Sequence, residues 1–123
     1  MPCTTAATTY KPAMNTRYCF ALDLVNDPTL IAEYETYHRA VWPEILKSIT
    51  DAGIIDMEIY RFGNRLFMIM DTDDSFSFER KAAMDAVNTR VDDWEAQMWK
   101  YQQAIPGALP GEKWVLMNRI FKL

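Results

Sequence analysis

Ile54-Ile55-Asp56-Met57-Glu58-Ile59-Tyr60-Arg61-Phe62, followed by Gly63-Asn64 and then Arg65-Leu66-Phe67-Met68-Ile69-Met70-Asp71, is the stretch on which the fold turns. Two runs rich in isoleucine, aromatic residues and methionine meet at a Gly-Asn step. That pattern predicts an antiparallel hairpin of two strands. The second run is apolar on both alternating faces, with Phe67 and Ile69 on one and Leu66, Met68 and Met70 on the other.

Moving toward the N-terminus, Gly53 is placed to end a helical piece from Pro43 to Ala52. An earlier helix starts at Asn26-Asp27-Pro28, where Asp27 can cap the free amides and Pro28 loses nothing by lacking an N–H. It carries Ile31, Tyr34 and His38 and has to break before Pro43, because proline disfavours helical geometry in the residue preceding it. Before it, Thr16 to Val25 alternates Tyr18, Phe20, Leu22 and Leu24 against Cys19, Ala21 and Val25, a strand with Asp23 inside it. Residues 1–15, rich in Thr, Ala and Pro, are expected to form a poorly ordered extension ahead of a single domain at 16–123.

Toward the C-terminus, Thr72 to Ser75 is a polar break, and Ser75 or Ser77 begins a short helix through Asp85. Asn88 or Thr89 caps a longer one expected from Arg90 to Ala104, and the two Pro-Gly steps of Pro106 to Gly111 make a loop. Trp114 to Leu123 reads as a last strand. The order strand, broken helix, strand, strand, helix, strand predicts an α+β fold of the ferredoxin-like split β-α-β kind, a four-stranded antiparallel sheet with helices on one face. Apolar residues on the second face then call for a cover. A second copy of the chain provides it, in a dimeric α+β barrel; the other reading is an open apolar cleft.

At 123 residues the chain is the size of one domain, and half of its residues are hydrophobic, enough for a core. The net charge of -4 and scattered Lys and Arg speak against a nucleic-acid partner. One histidine and two cysteines, Cys3 and Cys19, without a Cys-x-x-Cys pair, give neither a zinc site nor a redox motif. No stretch reaches the roughly 20 apolar residues of a membrane helix. The expectation is a soluble cytoplasmic protein with reduced thiols, no metal and no cofactor.

The chemistry gathers in Tyr34-Glu35-Thr36-Tyr37-His38-Arg39-Ala40-Val41-Trp42-Pro43-Glu44. Tyr34, His38 and Trp42 recur at steps of four, which on a helix stacks a phenol, an imidazole and an indole on one face. Imidazole titrates near neutrality and can both give and take a proton. Aromatic residues at this spacing are also the ordinary content of a core, so the segment alone does not choose.

With Tyr34 one turn ahead of His38-Arg39-Ala40-Val41-Trp42-Pro43-Glu44, and with Met98-Trp99-Lys100-Tyr101 and Arg119-Ile120-Phe121-Lys122-Leu123 further on, the sequence resembles the L-rhamnose mutarotase family from about Thr16 to Leu123. The resemblance implies a ferredoxin-like homodimer that interconverts the α and β anomers of a 6-deoxyhexose monosaccharide. It places His38 on the proton donor and Tyr34 on a residue that holds the sugar. Met57 falls where the family has a sugar-contacting tyrosine, and Met98 and Trp99 fall on its paired tryptophans, with Trp94 able to supply the missing indole. L-Fucose is then as reasonable a substrate as L-rhamnose.

Anomer exchange needs a proton given to the ring oxygen and one removed from the anomeric hydroxyl, and His38 can serve both, with Asp23 or water completing the relay. Two other readings fit a dimeric fold of this type: a cofactor-free monooxygenase acting on a flat aromatic substrate, and a sensor that binds a small metabolite without turnover.

Overall fold

The structure, a computed structural model, describes residues 15–123. The expected N-terminal extension and Cys3 thus lie outside the described residues, apart from Asn15. In chain order the elements are β1 (Thr16–Leu24), α1 (Pro28–His38), α2 (Pro43–Asp51), β2 (Ile54–Phe62), β3 (Arg65–Thr72), α3 (Phe78–Ala86), α4 (Thr89–Trp99), β4 (Gln102–Gln103) and β5 (Val115–Leu116).

The hairpin forms as its sequence requires, with Phe62 opposite Arg65 and Met57 opposite Met70. Asn64 then fastens its turn to β1: the Leu24 N–H donates to the Asn64 carbonyl over 2.7 Å, and Asn64 Nδ2 donates to the Leu24 carbonyl over 3.0 Å. β3 lies antiparallel to β1, from Thr16 opposite Thr72 to Asp23 opposite Arg65. The sheet order is β2-β3-β1-β4. β3 therefore splits the β1-α1-α2-β2 unit, the ferredoxin-like arrangement.

Side-chain alternation sorts the sheet into two faces. Phe20, Leu22, Leu24, Leu66, Met68 and Met70 are buried under the helices, while Cys19, Ala21, Phe67 and Ile69 on the opposite face are only half-buried. The helix layer is thin: α1 buries Tyr34, α2 buries Ile45 and Ser48, α4 buries Val91, Trp94 and Met98, and α3 buries nothing. Instead, Phe78 at the start of α3 joins Phe76 against Tyr18, whose ring centroid lies 4.9 Å from that of Phe78.

Two expectations are corrected at the C-terminal side. α4 ends at Trp99 rather than Ala104, because the open edge of β1 takes the following residues as a strand: the Val25 N–H donates to the Tyr101 carbonyl over 2.8 Å, and Gln102 pairs with Leu24. The last strand is also far shorter than Trp114 to Leu123. Only Val115 and Leu116 form ladder pairs, with Ala21 and Phe20, and the Met117 N–H adds a bond to the Cys19 carbonyl. β4 and β5 are thus two pieces of one edge strand, separated by a loop over 104–114.

Gly53 joins α2 to β2 with φ +97, and a Cβ placed there would stand 2.5 Å from Ser75 Oγ and 2.6 Å from Asp73 Oδ1. Gly53→Ala should destabilise the fold by more than ~1 kcal/mol, from left-handed strain and displacement of the Asp73–Ser75 turn. Urea unfolding of the two proteins checks it.

Candidate active site

The site begins with the cap of α1. The Asp27 carboxylate accepts from the Thr29 and Leu30 N–H groups at 2.9 and 3.0 Å, and Pro28 occupies the first helical turn. This fixes the helical phase, so Tyr34 points into the core and His38, one turn later, closes the helix on the same side. Their rings lie 4.4 Å apart between centroids, tilted by 38°.

His38 Nδ1 lies 2.9 Å from the Tyr34 carbonyl. A carbonyl only accepts, so Nδ1 carries the hydrogen and a neutral His38 keeps its lone pair on Nε2. Burial holds the imidazole below its ordinary pKa of 6.5, and the bond to the Tyr34 carbonyl opposes this more weakly. His38 at neutral pH is therefore a base.

Tyr34 Oη accepts a hydrogen bond from Gln102 Nε2 over 3.3 Å, which leaves the phenol's own proton available to another acceptor. Burial pushes the Tyr34 pKa up to about 12, against a smaller lowering by the Gln102 bond. The group stays a neutral donor across the physiological range.

The expected stack of three rings is interrupted. α1 ends at His38, and Trp42 caps α2 with extended backbone angles (φ -57, ψ 135), as the proline after it requires. The rings still meet, through Trp94. His38 lies 5.7 Å from it and Trp42 5.1 Å, both edge-on, with the Arg90 guanidinium 4.2 Å from the Trp42 ring centroid.

Between the helices and the inner face of the sheet is a cavity of about 720 Å³, within the range usual for small-molecule sites. Tyr34, His38, Met57, Trp94, Met98 and Gln102 all line it. Trp99 does not. It is 42% exposed, with Lys113 Nζ 4.7 Å above its ring, and Lys113 in turn pairs with Glu95 over 2.8 Å. The helical step that buries Met98 turns the next residue outward, so Trp94, one turn before Met98, supplies the indole wall.

Asp23 is not beside His38. It sits on the outer face of the sheet, 5% exposed, where Arg65 binds it through two hydrogen bonds of 2.7 and 3.1 Å. An odd position on β1 faces away from the helices, so it has no part in a relay with His38. Gln102 and Glu95, both on the cavity wall, carry no motif that marks them in the sequence. Gln102 lies in what read as the end of a helix, and only the pairing with β1 turns it inward.

The sequence model of the L-rhamnose mutarotase family matches residues 17–123. The chain belongs to this family. It is 49% identical to an L-fucose mutarotase of Xanthomonas campestris pv. campestris over 109 residues, 87% of each chain. A shorter stretch of 34 residues is 47% identical to an L-rhamnose mutarotase of Acidiphilium cryptum, covering 28% of this chain and 33% of that one. The crystal structure of an L-rhamnose mutarotase from Formosa agariphila superposes with a TM-score of 0.64 at 20% identity, covering 88% of this chain and 98% of that chain, and shares its fold. Among the described residues no helix is long and apolar enough to cross a membrane, and no three His, Cys, Asp or Glu side chains gather to hold a metal ion.

Because the chain has a single histidine, its titration can be followed without assignment. The imidazole signals of the folded protein should titrate with a midpoint below 6.5. The unfolded chain then takes up its proton first as pH falls, so this group's contribution makes the fold less stable below about pH 6.5. A midpoint above 6.5 contradicts the burial argument.

Proposed function

We propose that this family member is a cytoplasmic, homodimeric mutarotase that interconverts the α and β anomers of a 6-deoxyhexose, L-fucose or L-rhamnose, with His38 moving the proton. The single observation that carries the reading is the neutral, half-buried His38 with Nε2 as its free acceptor, its ring against a neutral Tyr34 in the wall of the cavity.

His38 Nε2 takes the proton of the anomeric hydroxyl. The C1–O5 bond breaks as the C1 carbonyl forms, and the imidazolium delivers the same proton to O5. Rotation about C1–C2 turns the aldehyde over, and the reverse steps close the ring to the other anomer. One proton moves and returns, and nothing is oxidised. Tyr34 donates a hydrogen bond to the oxygen that gains charge, while Trp94, Met57 and Met98 give the sugar's C–H faces an apolar wall. The oxygenase and sensor readings are not favoured by family membership.

Support for the homodimer lies on the outer face of the sheet. Phe67 faces Ala21 and Tyr60 there, and Ile69 faces Cys19 and, on the β2 side, Glu58, with the Arg17–Asp71 and Arg65–Asp23 ion pairs at the two ends. An apolar centre with a charged rim is the anatomy of a protein interface. Past the last ladder pair, Ile120, Phe121 and Leu123 are exposed apolar residues at the chain end. The wild-type protein should sediment as a dimer, and Phe67→Asp should sediment as a monomer with its secondary structure intact.

Exchange spectroscopy on equilibrated L-fucose and L-rhamnose tests the activity by following magnetisation between the α and β anomeric protons. Wild-type protein should accelerate exchange for at least one sugar, and His38→Asn should reduce that acceleration by about a hundredfold or more without changing the melting curve. Activity should also fall on the acid side with a midpoint below 6.5, as His38 takes up a proton and ceases to be a base. No acceleration by folded wild-type protein overturns the assignment.

A further inference from the structure

Gln102 is a buried amide in the cavity wall whose carbonyl oxygen has no hydrogen-bond partner. The residue is 8% exposed, and pairing with Leu24 fixes its backbone at the edge of β1. Nε2 donates to Tyr34 Oη over 3.3 Å, whereas Oε1 is buried with no hydrogen-bond partner at all. It is the one such side-chain atom among the described residues.

A buried acceptor without a donor weakens a fold, and an apolar side chain of the same length would remove the penalty. Unmet polar groups that persist beside a proton-transfer pair are expected where the missing partner arrives with a ligand. None of the donors in the wall, the Tyr34 phenol and the indoles of Trp94 and Trp114 included, bonds to Gln102 Oε1. A sugar hydroxyl brings a donor.

Resting on the mutarotase reading, we infer that Gln102 is a sugar-binding and specificity-determining residue, whose Oε1 accepts a hydrogen bond from a secondary hydroxyl of the substrate while its Nε2 orients Tyr34 as a donor to the same ring. L-Fucose and L-rhamnose differ in the orientation of the hydroxyls at C2 and C4. An acceptor fixed to the sheet edge on one side of Tyr34 distinguishes them by reaching one orientation and not the other.

The test is the affinity of wild-type protein and Gln102→Met for L-fucose, L-rhamnose and the analogues of the preferred sugar lacking the C2 or the C4 hydroxyl, measured by calorimetry apart from turnover. Gln102→Met should melt no lower than wild type and bind the preferred sugar about tenfold more weakly. For one of the two deoxy analogues it should bind as well as wild type does. An equal loss for the parent sugar and both analogues, or no loss for any, overturns the proposal while leaving the mutarotase reading in place. Wild-type protein that neither binds nor exchanges these sugars overturns both. A readout independent of folding in the variant is the Gln102 side-chain amide signal of wild-type protein, which should shift when the sugar saturates the site; a signal that stays in place contradicts the role.

Discussion

The hydrogen bond from His38 Nδ1 to the Tyr34 carbonyl, 2.9 Å long at the end of α1, is the constraint on which the proposed chemistry depends. It settles which ring nitrogen carries the hydrogen and leaves the other as a base. Burial keeps the ring neutral, which the bond alone would not do, since it favours the charged form. The bond runs from the side chain to the carbonyl four residues back within α1, whose start Asp27 and Pro28 set. A capped helix with a histidine one turn after Tyr34 therefore determines a tautomer.

The cavity has an equally physical origin. A sheet face carrying Phe20, Leu22, Leu66, Met68 and Met70 is covered by helices of 11 residues or fewer, one of which buries no side chain. Short helices leave the middle of such a sheet incompletely filled, and the flexible methionines there tolerate a variable occupant. On the other face the apolar strip is shallower and bordered by paired charges, so the two faces differ: one is hollowed into the cavity, and the other is a half-exposed apolar strip.

Much of this was legible in the residues. The β2–β3 hairpin follows from Gly63-Asn64, and β2 begins and ends where its pattern does, at Ile54 and Phe62. Tyr34 and His38 share a face because four-residue spacing within one capped helix leaves them no alternative. Met57 and Met98 came from the family resemblance and both lie on the cavity wall. What escaped depended on contacts distant in sequence. Gln102 faces the cavity only because its pairing with Leu24 of β1, distant in the sequence, draws the chain out of α4. Trp99 faces outward because Met98 takes the buried position one step before it. Asp23 has an apolar neighbour on each side, and alternation places it outward, but the bidentate Arg65 that lets it be buried there belongs to a different strand.

The central claim, that a neutral Nε2 of His38 is the base that meets the sugar, is tested most directly by long-range proton–nitrogen correlation of the single imidazole at pH 7, without and with saturating L-fucose or L-rhamnose. The account predicts a protonated Nδ1 and an unprotonated Nε2 in the free protein, with the Nε2 resonance moving when sugar binds. A free protein carrying its hydrogen on Nε2, or an Nε2 resonance unmoved by a sugar that binds, would contradict it.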